Sequence, residues 1–435
     1  MSKSKTYWAI ALAAGLLCAS APALAVVTWS GDTTVNNDWF TTSNWSGSAV
    51  PTSADDTQLY AGSSLANPVI VNNASAAAAY YLRIGYGSGN AGYLKIYTDL
   101  STVRDLYVGS NGGAGEVVQE GGTVNIATIA AGGYNTRIDG KYTINGGTAY
   151  FGTVNNQHLY VGEATDSTGR LIINAGAVSV GDQTLLGNAA GSTGILQALG
   201  GTFTAQNDWL TVGNNGIGQV TVNGGTMNLG SVRVGQYADS ASRTSTFSLI
   251  SGTVDIKDQC NFNLGVAGNA SFTQSGGTFQ LNNRSDLTVA SGAGTASYEI
   301  SGGSLYVGRT LYVGKAGPGT FTVSGSGVTS ISVGAEQATT DFQVFATGTL
   351  TAKIDAGGIT AIQVKNAAQF DAGSKLDVAA LAGAAPGTYT VLQVYGTGTG
   401  DKIIDNGLAF AAGVDTSKWS FSIVDSNSDT RLDRL

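Results

Sequence analysis

The chain is poor in most of the residue types from which catalytic and metal centres are assembled. Its 435 residues contain one histidine, His158, and two cysteines. A Ser-His-Asp or Cys-His arrangement would have to use that one histidine, and no Gly-x-Ser-x-Gly elbow stands near it. Zinc needs several His or Cys ligands, and the chain lacks them. No Walker-type phosphate loop is present. Charged side chains make up only 11 % of the chain and acids outnumber bases, 29 to 21. That balance, with no basic cluster, excludes nucleic acid and anionic membrane as expected partners. There are five prolines, and no segment beyond the first 25 residues has a helical hydrophobic period.

The one long apolar run lies at the start. Lys3 and Lys5 precede Trp8 to Leu17, and Ala23-Leu24-Ala25 is an A-x-A cleavage site. These are the parts of a secretory signal peptide, residues 1–25, and the run is too short for a membrane span. Cys18 is no lipoprotein signal, because Leu17 precedes it where a small residue belongs. Cleavage after Ala25 leaves 19 basic and 29 acidic residues, net −10, and no membrane span. Cys260 is then the sole cysteine, so no internal disulfide can form. It is read as a small buried residue rather than a nucleophile. Export without disulfides fits the envelope or exterior of a bacterium.

Glycine is abundant, with 63 residues, and it is periodic. Leu-Tyr-Val-Gly recurs at 106–109, 159–162, 305–308 and 311–314. Looser copies are Leu82–Gly85, Leu210–Gly213, Val232–Gly235, Phe262–Gly265 and Ile331–Gly334. Ile129–Gly132, Leu185–Gly187 and Leu287–Ala290 are degenerate members. Gly-Gly pairs ending at 122, 147, 201, 225, 277 and 303 run in step with them. A fixed period of this size marks a solenoid. Between the glycines, apolar and polar residues alternate, as in a strand with one buried face. In Leu210-Thr-Val-Gly213, Leu210 and Val212 face the core and Thr211 the solvent. The expected fold is all-β: a parallel β-helix, or β-solenoid, of about 10–11 coils of roughly 22–30 residues. Each coil has three short strands, and the stack makes a rod of roughly 50 Å.

Four regions follow: the signal peptide (1–25), a Trp-rich N-terminal cap (26–80), solenoid coils (81–380) and a C-terminal β cap (381–435). Caps are needed because a solenoid end exposes unpaired strand edges. Within the second, Tyr389–Val394 and Trp419–Val424 are expected strands, with Trp419 and Phe421 buried over the last coil. Longer coils place protruding loops near Tyr134–Lys141 and Tyr237–Arg243.

The order Trp29, Asp38-Trp39, Asn44-Trp45, Pro51 and Asp55, followed by Leu-x-Val-Gly and Gly-Gly-Thr-Val coils, resembles secreted bacterial proteins with autotransporter-associated β-strand repeats. Ala385-Pro-Gly-Thr-Tyr-Thr-Val-Leu392 adds to this, since a similar strand closes many such passengers. The resemblance implies a parallel β-helix displayed outside the cell, in an adhesive or structural role. The chain departs from the family in two ways. The last 100 residues lack the long amphipathic strands of an outer-membrane barrel. Nor is there a Pro-Glu-Pro sorting motif.

Few residues are candidates for a site. Trp39 and Trp45 offer either a carbohydrate-stacking platform or the packed core of the cap. Tyr107, Tyr160, Tyr306 and Tyr312 sit at outward strand positions, where they could stack on sugar or simply serve as good strand residues. Asp425, Asn427, Asp429 and Asp433 alternate like the first half of a calcium loop. Thr430 stands where such a loop needs its turn glycine, and a solvated polar turn is the competing reading. No cofactor is expected beyond such a Ca²⁺ ion. Hydrolases on β-helices need clustered carboxylates, whereas the one adjacent pair, Asp55-Asp56, lies in the cap. The expected function is a secreted, non-catalytic structural and adhesive protein of the cell surface or extracellular matrix. Its partners would be surface polysaccharide or like chains. A polysaccharide lyase or hydrolase, or a carbohydrate-binding protein, are the alternatives.

Overall fold

A computed structural model describes residues 24–31, 36–128, 134–152, 156–237, 243–334, 340–396, 398, 400–425 and 432–435. The alternating pattern becomes an all-β parallel solenoid of about twelve coils, with half the chain in strand and 1 % in helix. The only helix among the described residues is one turn, Thr42–Asn44.

Each coil has three faces. The first is made of short strands such as Tyr81–Ile84, Leu106–Val108 and Leu159–Val161, within a fifteen-stranded sheet. The second uses longer strands such as Ala91–Ile96 and Thr168–Ile173, and the third uses strands such as Thr123–Ile126 that follow the Gly-Gly pairs. In Ile217–Leu229, Thr244–Ile256 and Asn269–Leu281 the second and third faces run as one strand bent at the glycines. Every pairing between coils is parallel and in register along the rod, with local shifts at three of the bends. The coil length is not constant: Leu210 pairs with Val232 but Leu311 pairs with Phe342.

Glycine at the first corner is required by space as well as conformation. Gly85 has φ +60°, and a Cβ there would lie 1.8 Å from the carbonyl oxygen of Ala114 in the next coil. In the degenerate copy, Ala290 holds the same left-handed conformation at φ +61°, which costs a non-glycine residue about 1 kcal/mol.

Inward side chains form axial columns. One contains Phe247, Phe272, Tyr298 and Phe321 in register, with Phe272 and Tyr298 stacked at 4.5 Å. Two glutamines interrupt the apolar columns. Gln119 and Gln274 are buried, and each accepts a hydrogen bond from a tyrosine hydroxyl one coil on, Tyr142 and Tyr298. Their amide groups donate to backbone carbonyls, Gln119 to Gly122 and Thr148 and Gln274 to Gly277 and Ser304. Outward, the residue after each third-face corner glycine builds a column, threonine at all but one place: Thr123, Thr148, Ala177, Thr202, Thr226, Thr253 and Thr278.

Several expectations need correction. The repeat copies do not all belong to one face. Leu106, Leu159 and Leu311 start first-face strands, but Leu305-Tyr-Val belongs to the third face, where Leu305 pairs with Phe279 and Ile331. The first-face member between Leu106 and Leu159 is Thr136–Ile138. Residues 129–132 lie outside the described residues. The stretch 134–141 is therefore no protruding loop: it contains that strand and the start of Lys141–Ile144. Most of the second expected loop, 238–242, lies outside the described residues, as does nearly all of the signal segment.

A full coil already exists within 26–80, formed by Asp55–Leu59, Val69–Val71 and Ala77–Ala79. The faces continue past 380 through Leu392–Val394, Ile403–Asp405 and Ala409–Phe410. Residues 432–435 then run antiparallel over Leu392–Val394: Leu435 N donates to Leu392 O, and Val394 N donates to Asp433 O. Of Trp419–Val424, only Val424 pairs, in an isolated bridge to Arg434. Phe421 packs edge-to-face on Phe410 at 5.1 Å, and Trp419 walls a hollow of about 230 Å³ beside Tyr389.

Candidate functional site

Trp39 and Trp45 are enclosed, 0 % and 2 % exposed. Trp45 packs edge-to-face on both Trp29 (5.0 Å) and Trp39 (4.8 Å), and its indole N–H donates to the carbonyl of Trp39. The ring faces needed for sugar stacking are spent on one another, so the cluster is the packed core of the first turns.

Tyr107, Tyr160 and Tyr312 share the outward column of the first face. Tyr306 lies on the third face, between Gln280 and Ser332, so it cannot join them. The Lys315 ammonium sits 4.5 Å over Tyr312. Tyr107 and Tyr160 are separated by one coil, and the residue between them is Arg137. The column reads Arg83, Tyr107, Arg137, Tyr160. Arg137 lies 5.1 Å over the Tyr107 ring and 5.9 Å from Tyr160, and Arg83 lies 5.3 Å over Tyr107 and 4.9 Å over Tyr86. A tyrosine–arginine ladder therefore crosses four coils, invisible to a search at fixed sequence period.

Carboxylates hold the ladder in place. Arg137 pairs with Asp105 at 2.8 Å and Glu163 at 2.6 Å, and it donates to the Tyr107 hydroxyl. Arg83 pairs with Asp56 at 2.9 Å. Burial pushes the Glu163 carboxyl above its usual range, while Arg137 pulls it back. Burial likewise raises the Tyr107 and Tyr160 hydroxyls. His158 stands at the rim of the ladder, edge-on to Tyr160, with Nδ1 3.4 Å from Asp182. Burial raises the Asp182 carboxyl, and the neighbouring Asp208 adds to the rise.

Around the corner, on the second face, Tyr93, Glu116, Lys141 and Arg170 form another outward column over four successive coils. An open groove of about 380 Å³ runs beside it, with Asp139 and Thr168 on its far side.

Of the expected calcium ligands, Asn427 and Asp429 lie outside the described residues. Asp433 is buried, with its backbone on the strand edge already described, and Asp425 is partly buried. No three His, Cys, Asp or Glu side chains converge for a metal ion among the described residues. Cys260 is partly buried against the core.

Fold and surface together define the chain as a parallel β-solenoid with ordered outward columns. Comparison with protein-family models, with curated proteins and with solved structures finds no match.

Proposed function

We propose that the protein is an exported rod that serves outside a bacterial cell as a structural and adhesive element, akin to passengers with autotransporter-associated β-strand repeats. The observation that supports it is the axial order of the outward side chains. Columns such as the threonines of the third face, broken at Ala177, repeat one chemistry from coil to coil for much of the rod's length. Weak contacts repeated on a rigid body add through multivalency. Three arginines on or beside the first face serve the rod itself: Arg83, Arg137 and Arg309 are each held by a carboxylate of a neighbouring coil. In this reading they order the surface rather than attack a substrate.

Immunolabelling of intact cells of the source bacterium tests the proposal. Signal should lie on the exterior or in the matrix, and antigen confined to the cytoplasm would overturn it. The purified mature protein should also release no unsaturated sugars from pectin or alginate. New ultraviolet absorbance that disappears in a single surface Lys or Arg variant would instead establish a lyase.

A further inference from the structure

We infer that the groove on the second face binds a sparsely acidic oligosaccharide lying along the rod axis. Tyr93 would provide the stacking platform and Arg170 the carboxylate-binding group. The site rests on the adhesive reading for its biological setting alone, because binding is a property of the purified protein.

The groove arises from a step in side-chain size. Tyr93, Glu116, Lys141 and Arg170 are long, while the outward position two residues nearer the first corner carries the short Ala114 and Thr168, and Gly113, Gly115 and Gly140 add no side chain to the lining. The hollow therefore runs parallel to the axis and crosses the coils. The Tyr93 ring also lines a second hollow of about 100 Å³, beside Leu65, which is 64 % exposed. An aromatic side chain that borders two hollows is placed to receive the apolar face of a sugar ring.

Charge selects the ligand. Glu116 neutralises Lys141 at 2.9 Å, leaving that pair as a source of donors and acceptors for hydroxyls. Arg170 is exposed and has no carboxylate partner among the described residues. Its planar fork fits a carboxylate in two parallel hydrogen bonds. Coils advance by about 4.8 Å, close to the length of one pyranose unit. Tyr93 and Arg170 are three coils apart, about 14 Å along the axis, so a ring on Tyr93 places a carboxylate some three sugars further on at Arg170. The groove's other carboxylate, Asp139, accepts from the backbone N–H groups of Glu163 and Ala164 and from the Ser167 hydroxyl, and one unpaired cation beside it, on a chain of net charge −8, suits a glycan with occasional uronic acids. A dense polyanion would be repelled.

Calorimetric titration of the purified mature chain tests the assignment. The probes are a gellan octasaccharide (one carboxylate in four sugars), neutral cellohexaose, fully charged hexagalacturonate and polyphosphate. Saturable binding is expected with the gellan fragment and weaker binding with the other three. Arg170→Ala and Tyr93→Ala should each weaken it about tenfold or more, in line with losing a charge-assisted hydrogen bond or a stacked ring. Arg170→Lys should lie between. Arg170 is exposed, so its variants should melt like the parent, and they keep the test decisive if Tyr93→Ala folds poorly. Cellohexaose binding as tightly as gellan would overturn the carboxylate role, and tighter hexagalacturonate or polyphosphate would overturn the sparse-charge assignment. Absence of saturable binding, or binding indifferent to Arg170, would remove the site and leave the rod proposal to its own test.

Discussion

Gln119 and Gln274 show how much a single polar atom matters inside an apolar column. Each has its carbonyl oxygen satisfied by one tyrosine hydroxyl from the following coil. Tyr142→Phe leaves the Gln119 carbonyl buried without that donor and should cost about 1–3 kcal/mol, measured by chemical denaturation. Adding Gln119→Leu should recover much of the loss, since replacing both partners removes the orphan rather than creating one. Asp341 offers a second residue-level test. It is fully buried, and burial pushes its carboxyl from 3.8 up to about 6, although the backbone N–H and amide of Asn366 both donate to it. Between those two pH values the folded chain holds a proton that the unfolded chain has released. Stability from this group is therefore greatest at low pH and declines as pH rises through the window. Melting temperatures from pH 4 to 7 should show that decline, and Asp341→Asn should flatten it. For the calcium reading, the expected outcome is no Ca²⁺-dependent rise in melting temperature. A saturable rise that vanishes in Asp429→Ala would establish the site.

Among the strands, Leu210–Val212 tests the register. Val212→Asp places a carboxylate in the core and should cost several kcal/mol or prevent folding. Thr211 points away from the core but is only 4 % exposed, in register with Leu185 and Arg233. It is an outward residue roofed over rather than the free surface position that alternation suggests. Thr211→Asp should therefore cost less than Val212→Asp, with Arg233 adjacent as a counter-charge, but it should not be silent. Thermal melts of the two variants decide the matter, and equal losses would reject the register. The same strands show what the sequence makes legible. Alternation and glycine spacing revealed the solenoid because both depend on local backbone needs at each corner. Face identity was not legible: Leu305-Tyr-Val and Leu311-Tyr-Val are locally identical, and only their partners, Phe279 against Leu287, separate them. Thr136–Ile138 escaped notice because its threonine breaks the motif while its neighbours still fix its place. Unequal coil lengths also hid the Arg83–Tyr107–Arg137–Tyr160 ladder and the Tyr93–Arg170 column, because residues that meet in space share no constant sequence interval.

For the molecule as a whole, the two faces of a coil's edge are not equivalent, and residues 432–435 cover one of them. Their antiparallel run over Leu392–Val394 occupies backbone groups that would otherwise invite another strand. Deleting 432–435 should make the protein self-associate, visible as a shift to larger species in size-exclusion chromatography. The parallel register carries a mechanical consequence. Hydrogen bonds between coils point along the rod, so tension applied to its two ends loads the interface between the outermost coil and its neighbour first, while the interior remains intact. Each coil that peels away frees about 25 residues, or roughly 80 Å of slack. Stretched in an optical trap, the protein should lengthen in a sawtooth of such increments instead of rupturing at once. An anchored rod of this kind would absorb a sudden pull by growing longer, and it would keep its hold on whatever its far coils grip.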